Sequence, residues 1–334
     1  MTQKKILLIG GCGFIGHNLA LHLKKRGHEP VIVDSLKINN LYSTRDKEVT
    51  NQILYKSILK NRLSLLKDNN IEYFIEDAKK LHETKNIFNS INPDIIIHLA
   101  AVSHANKSNK DPHTTFENSV RTLETTLELA RTKKTHVIFL SSSMVYGNFN
   151  SPEVDENSIC NPIGIYGNLK FNGEMMLKAY NQTFGLPYTI IRPSALYGER
   201  CVSRRVGQIF IENAIQNLEI KINGDGEEKL DFTYIEDLVE GISLCCENDN
   251  AINEIFNITF GSAKKINDLL ELLKNEFFNL KIKYTERDKL MPKRGTLSVK
   301  KAKNLLKFSP KFSIDQGYLK YISWYRDFWK NINE

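Results

Sequence analysis

Residues 4–16 read KKILLIGGCGFIG, and the fold turns on what that stretch is. Four apolar residues, Ile6 to Ile9, run without a break into glycines at 10, 11, 13 and 16. The run is too short to span a bilayer and leads into turn-forming residues rather than a cleavage site, so it reads as a buried strand and not as a signal peptide. Gly10, Gly13 and Gly16 keep a Gly-x-x-Gly-x-x-Gly spacing, with Phe14 and Ile15 between the last two, and a helical pattern follows through Arg26. A strand, a glycine turn and a helix in that order form a cradle for a diphosphate. One glycine permits the tight turn, another lets the backbone approach the anion, and the last lets the helix lie against the strand with its N-terminus facing the charge.

The same short, Ile- and Val-rich signature recurs in EPVIVDS (29–35), IEYFIED (71–77), PDIIIHLA (93–100), THVIFLSS (135–142) and LPYTIIRP (186–193), with amphipathic stretches between. Strands hydrophobic on both faces and alternating with helices predict an α/β fold with a doubly wound, Rossmann-like parallel sheet. Residues 37–70 are longer than a usual connection, and a loop plus a helix around ILYKSILKNRLSLL (53–66) is expected there. Beyond residue 192 come VGQIFIENAIQ, the turn NGDGEE, IEDLVEGISLCC, IFNITF, INDLLELLKNEF and GYLKYISWYRDFW. They predict a smaller mixed α/β lobe over the carboxyl edge of the sheet, where ligands of open α/β sheets bind. The expected division is a dinucleotide domain over 1–192 and a substrate lobe over 193–334, with segments interleaving at the boundary.

Asp34 closes the second strand, 18 residues beyond Gly16. A carboxylate there accepts hydrogen bonds from the adenosine ribose and repels a 2′-phosphate, which points to NAD rather than NADP; elsewhere such a residue is a turn or cap aspartate. Asp77 and Ala78 follow the third strand and are placed at the adenine. Leu99, Ala100 and Ala101 follow the fourth and are placed beside the cofactor.

The chain has 334 residues, 46 Lys and Arg, 39 Asp and Glu, and a formal charge of +7. Basic residues are spread among acids rather than gathered in a stripe, so nucleic acid is not an expected partner while small polyanions are. No apolar tract is long enough for a membrane span. Cys12, Cys160, Cys201, Cys245 and Cys246 show no paired zinc or redox spacing, so no metal is expected and a reducing, cytoplasmic setting fits.

Residues 163–170 read IGIYGNLK. On a helix, Tyr166 and Lys170 leave one face a turn apart and can reach one reacting atom, although the same spacing is common where no chemistry occurs. HLAA (98–101), SSSMVYG (141–147), RPSALYGER (192–200), LDFTYIEDL (230–238), FNITFG (256–261) and PKRGTLSVKKA (292–302) accompany it. With the glycine series and Asp34, the chain resembles the extended short-chain dehydrogenase/reductases. Within them it is similar to the NAD-dependent nucleotide-sugar epimerase/dehydratase family over nearly its whole length.

That resemblance implies that Tyr166 is the general base taking a proton from a sugar hydroxyl as hydride leaves the same carbon for the nicotinamide. A tyrosine pKa near ~10 is too high for base work at neutral pH, and a cation one turn away favours the phenolate. Lys170 is therefore expected to activate Tyr166 and, by the resemblance, to hold the nicotinamide ribose; Ser142 is expected to hydrogen-bond the reacting hydroxyl. Family dehydratases carry acids at the next two positions, where this chain has Ser143 and Met144, and a thioether transfers no protons. Elimination of water is thus disfavoured, as is decarboxylation. What remains is oxidation of the sugar 4-hydroxyl, ending as a 4-epimerase or as a net 4-dehydrogenase.

The family's usual diphosphate contacts are replaced by Ala195 and Leu230. Arg200, Arg204, Arg205 and Arg294 are the candidate replacements, because forked guanidinium groups match phosphate oxygens. Ser103, His104, Asn106 and Lys107, in VSHANKSNKDP (102–112), are placed at the sugar with Ser143 and Met144, although a polar loop is the commoner explanation of such a phrase. This phrase, segment 37–70 and CVSRRVGQIFIENA (201–214) resemble enzymes of bacterial surface polysaccharides and capsule, including those acting on GDP-linked heptoses. A GDP- or UDP-linked sugar is the expected substrate, and a homodimer or homotetramer the expected assembly. The rival expectation is a regulatory protein that binds NAD without catalysis.

Overall fold

The computed structural model describes residues 2–45, 51–103, 105–288 and 290–333. At its centre lie seven parallel strands: β1 (Lys5–Ile9), β2 (Glu29–Asp34), β3 (Glu72–Ile75), β4 (Ile95–His98), β5 (His136–Leu140), β6 (Tyr188–Arg192) and β7 (Glu254–Asn257). Their spatial order is β7-β6-β5-β4-β1-β2-β3. Ile9 stands opposite Val33 on one side and His98 on the other, so the carboxyl ends of β1, β2 and β4 finish level and form one edge.

Alternation along each strand sends side chains to two separate cores, which is why these strands are apolar throughout. Ile6, Leu8, Ile32, Ile97 and Ile138 face helices α1 (Phe14–Lys25) and α2 (Gln52–Asp68). Leu7, Ile9, Val31, Ile96, Phe139 and Ile190 face α3 (Leu81–Ile91), α5 (Pro112–Lys133) and α6 (Gly164–Phe184). A short helix, α4 (Ala105–Lys110), precedes α5, whose N-terminus Asp111 caps by accepting from the Thr114 N–H at 3.0 Å. The expected sheet is present, with one correction: IFNITF does not stay in the second lobe. Its first three residues, with Glu254 before them, pair with β6 and become the seventh strand. A run of four apolar and small polar residues carries no information about which sheet will take it.

In the rest of the second half, α7 (Val206–Ile215), α9 (Ile266–Glu276) and α11 (Ile314–Asn333) stand over the carboxyl edge with a parallel ribbon of Ile220–Asn223 against Ile282–Thr285, while α8 (Ile235–Glu247) packs along α1 beside the sheet and α10 (Lys300–Leu306) packs on α8 and β7. Tyr318, Tyr321 and Tyr325 repeat at helical spacing on α11 and are fully buried, anchoring that helix. Among the described residues no helix is long and apolar enough to cross a membrane.

Beneath the edge a buried ion pair fastens α6 to the end of β6, where the chain passes into the second half. Arg192, ending β6, donates from Nε and Nη2 to the two oxygens of Glu174 on α6 at 3.0 and 2.6 Å, and from Nη1 to the Tyr146 hydroxyl at 3.0 Å. Tyr146 in turn donates to Asn257 at the end of β7, and Ser141 at the end of β5 donates to Glu174. The pair is 2% and 0% exposed, so removing one partner strands the other charge without water. We expect Glu174→Ala to cost about 3–5 kcal/mol in urea-monitored unfolding, more than Glu174→Gln; a loss under about 1 kcal/mol would mean that the pair fastens nothing.

Candidate active site

The glycine turn of residues 10–16 is shaped by contacts that leave no room for side chains. Gly10 has φ of 84°, and a Cβ there would sit 2.7 Å from the Ala100 nitrogen; a Cβ on Gly16 would meet Gly11 Cα at 2.4 Å. Gly13 differs, since a Cβ would touch only the Gly10 carbonyl, at 3.3 Å, and its open side is a groove. Gly13 is also the N-cap of α1 and supplies no side-chain cap, so the first-turn N–H groups are left for an anion. Gly10, Gly13, Phe14, Ile15, Gly16, Asp34, Asp77, Ala78, Leu99, Ala100 and Ala101 all line this one groove. Asp34 spans its two oxygens between the Cys12 and Leu36 N–H groups at 3.0 and 2.7 Å, and Asp77 pairs with Lys37 at 3.3 Å. Residues that would meet a diphosphate, a ribose and an adenine are therefore brought together in that order along the edge.

Beside the groove lies a cavity of about 890 Å³, bounded by the β5 and β6 ends, α6 and the second lobe. Ser103, Ser142, Ser143, Met144, Tyr166, Lys170, Arg204, Arg205 and Arg294 line it. Ile15, Leu99, Ala101 and Ser103 line both spaces, so the groove opens into the cavity. Tyr166 is half-buried, and burial of its hydroxyl raises its pKa; Arg205 first, and then a hydrogen bond with Ser142, pull it back down.

Lys170 has partners in the sheet that its spacing from Tyr166 does not name. Tyr166 and Lys170 do share a face of α6, but the lysine is drawn to the sheet, where its ammonium donates to the Leu140 carbonyl and lies 5.0 Å from the Phe139 ring centre. Burial lowers its pKa to about 8, opposed by Glu174 one turn further along. The cation acting on the Tyr166 phenol is Arg205, from the second lobe.

Arg200 departs from its expected place at the substrate. Its backbone has φ of 64°, and its Nε donates to Asn61 at 2.9 Å with the guanidinium 5.9 Å from the Trp324 ring centre. It lines neither the groove nor the cavity. Arg204 reaches the Tyr55 hydroxyl at 3.4 Å from the cavity wall. His104 falls outside the described residues. Lys107 lines the cavity with Asn106, its ammonium donating to Asn39 at 3.1 Å, whereas Arg287, which pairs with Glu228 there, gave no signal in the sequence. Arg287 sits in a polar stretch indistinguishable from a surface turn.

Charge in the cavity is lopsided. Its acids among the described residues are Glu228 and Asp288, against Lys107, Lys110, Lys170, Lys221, Arg204, Arg205, Arg287 and Arg294. Nε of Arg205 and of Arg294 are both buried without a hydrogen-bond partner. Burial, with Arg205 repelling it, brings the Arg294 pKa down to about 10. Such a site is built for a ligand carrying several negative charges.

A dinucleotide groove opening onto a polyanion cavity, with a half-buried phenol in the cavity wall, defines an enzyme working with a nicotinamide cofactor. The chain belongs to the NAD dependent epimerase/dehydratase family, whose model matches residues 6–259, and NAD is its cofactor. It is similar to the UDP-glucose 4-epimerase of Thermotoga maritima, solved with UDP-glucose, at 27% identity over 97% of this chain and 99% of that one, with a TM-score of 0.84. It is similar also to the UDP-glucuronic acid 4-epimerase of Bacillus cereus, solved with UDP-glucuronic acid and NAD, at 25% identity over 97% and 99%, TM-score 0.85. The UDP-glucuronate 4-epimerase of Thermodesulfobacterium geofontis is 27% identical over 326 residues, 96% of each chain. Dehydratases occur among the relatives as well.

At neutral pH Arg294, with its pKa at about 10, is charged. A base whose pKa is lowered on folding destabilises the fold at every pH below that lowered pKa, so the cost is fully present. Arg294→Met is expected to raise the melting temperature of the ligand-free chain by about 2 °C while weakening nucleotide-sugar binding at least tenfold. A lowered melting temperature in calorimetry would show that Arg205 and Arg294 do not oppose each other.

Proposed function

We propose that this protein oxidises the 4-hydroxyl of a nucleotide-linked hexose or heptose and returns the hydrogen to the other face, as a nucleotide-sugar 4-epimerase. The observation that carries this reading is the position of Tyr166. Its hydroxyl, with Ser142 beside it, opens into the polyanion cavity at the mouth of the NAD groove. Ser142 orients the sugar hydroxyl, and Tyr166 accepts its proton. Bound NAD supplies the hydride acceptor. Lys170, held on the Leu140 carbonyl, lines the cavity into which the groove opens, and a ribose hydroxyl there would complete its donors.

Rotation of a keto sugar between two oxidation states needs room on both sides of the ring, and a cavity of about 890 Å³ holds a nucleotide sugar with space to spare. Arg204, Arg205, Arg287 and Arg294 are the ligands we assign to the diphosphate. Ala195 and Leu230, which line the same cavity, leave the nucleotide fewer polar contacts than the family pattern provides, so GDP as well as UDP is a candidate carrier. Membership of surface-polysaccharide synthesis follows from this reading, which the Staphylococcus aureus CapI protein among the relatives supports.

Elimination of water needs an acid beside the sugar. Ser143 and Met144 occupy that wall, and of the two cavity acids Glu228 is engaged with Arg287. This favours epimerisation over dehydration. Release of the keto sugar, which would make the protein a 4-dehydrogenase, is separated from it by product analysis alone.

Incubation with UDP-, GDP-, dTDP- and CDP-sugars, followed by mass spectrometry and NMR, is expected to give a product of unchanged mass with inverted C4. Loss of two hydrogens would replace the epimerase by a dehydrogenase, and loss of water would overturn the reading of Met144. Tyr166→Phe is expected to lose at least ~10³-fold in kcat while still binding NAD. The pH profile offers a separate check. A base must shed its proton to work, so kcat rises through the Tyr166 pKa, and removing a cation that lowers that pKa moves the acid limb upward. Arg205→Met should displace the limb to higher pH, with Arg205→Lys between; an unmoved limb would remove Arg205 from the tuning of Tyr166.

A further inference from the structure

Arg62 lies on α2, in a stretch that reads as an ordinary amphipathic helix, yet it is only 1% exposed. A guanidinium taken wholly out of water is costly unless its donors are met and its charge is balanced. One edge of the fork is satisfied: Nε and Nη2 both donate to the Arg200 carbonyl, Nε at 3.0 Å. Nη1 is buried and has no hydrogen-bond partner.

Charge balance is equally incomplete. The carboxylate acting on Arg62 is Asp34, whose two oxygens already accept from the Cys12 and Leu36 N–H groups. Arg200 repels it, and burial lowers its pKa to about 10. His17, in the first turn of α1, is buried too, and burial with Arg62 close by keeps it neutral, so it neither balances the guanidinium nor adds a second positive charge. The structure thus retains a buried cation with a free donor and no anion of its own. Arg62 lines the same groove as Gly10, Gly13, Gly16 and Asp34, opposite the uncapped N-terminus of α1.

We infer that Arg62 is a cofactor-binding residue, donating from Nη1 to a phosphate oxygen of the NAD diphosphate while its other edge holds the Arg200 turn. The assignment rests on NAD as the cofactor. A fork is what the position requires, because two edges must serve two acceptors that lie on different sides; a lysine supplies charge to one of them only. The Arg200 turn leads directly into Arg204 and Arg205, so the residue that meets the diphosphate also secures the segment that meets the substrate.

The test is binding to the full chain at equilibrium, by calorimetry, of NAD, ADP-ribose and adenosine. Arg62→Met is expected to lose about 10- to 100-fold in affinity for NAD and ADP-ribose, both of which carry the diphosphate, with adenosine changed less than about twofold. Arg62→Lys is expected to lose less than Arg62→Met for the same two ligands, and both variants should show a shallower dependence of ADP-ribose affinity on salt. Equal losses for all three ligands, or unchanged ADP-ribose affinity in a variant with a native melting transition, would overturn the assignment. If Arg62→Met does not fold, unchanged ADP-ribose affinity in Arg62→Lys has the same force. Failure of the unsubstituted chain to bind NAD or ADP-ribose would instead reject the cofactor itself.

Discussion

The ion pair between Glu174 and Arg192 is the constraint on which the site depends. Glu174 lies two turns beyond Tyr166 and one beyond Lys170 on the same helix, and Arg192 ends the strand that leads into the substrate lobe. Fixing one against the other sets the height and rotation of α6 over the sheet edge. Ser141 and Tyr146 join the same network, so the loop carrying Ser142, Ser143 and Met144 is tied to it at both ends. A single buried pair therefore holds the base, its serine partner and the lysine in one frame. This is a reason for keeping charges where an apolar pair would fold as well.

Above that frame the site is deliberately undersatisfied. Arg62, Arg205 and Arg294 each carry a buried donor with no partner, and all three line the groove or the cavity. Buried unpaired donors destabilise a fold, and native chains keep few of them. Their gathering along one sheet edge means that folding energy is held in reserve for ligands with phosphate oxygens. Tyr166 fits the same logic, since burial favours its neutral form until a cation and a hydrogen bond oppose that effect.

Much of this was legible in the sequence, for identifiable reasons. The glycine series and the Ile- and Val-rich runs are local patterns whose physics allows little else, so the sheet, the groove and its lining follow from them. The spacing of Tyr166 and Lys170 correctly places both on one helical face. It does not say where a flexible four-carbon stem ends, and the Leu140 carbonyl, set by a strand from another part of the chain, decides that. Arg200 shows the same limit in the backbone: a left-handed φ at a non-glycine residue turns its side chain toward Asn61 and Trp324, away from the cavity. Arg62 was invisible because a basic residue on an amphipathic helix is ordinarily a solvated one.

The central claim is geometric: the Tyr166 hydroxyl stands at the sugar C4 hydroxyl, beside the cofactor. A crystal structure of the protein with NAD and a bound nucleotide sugar measures this directly. The account predicts the tyrosine oxygen at about 2.6–3.2 Å from the sugar O4, with Ser142 on the same oxygen and the diphosphate among Arg204, Arg205, Arg287 and Arg294. A sugar bound with its C4 hydroxyl beyond proton-transfer reach of Tyr166, or a tyrosine ring turned away from the cofactor in that complex, would contradict it.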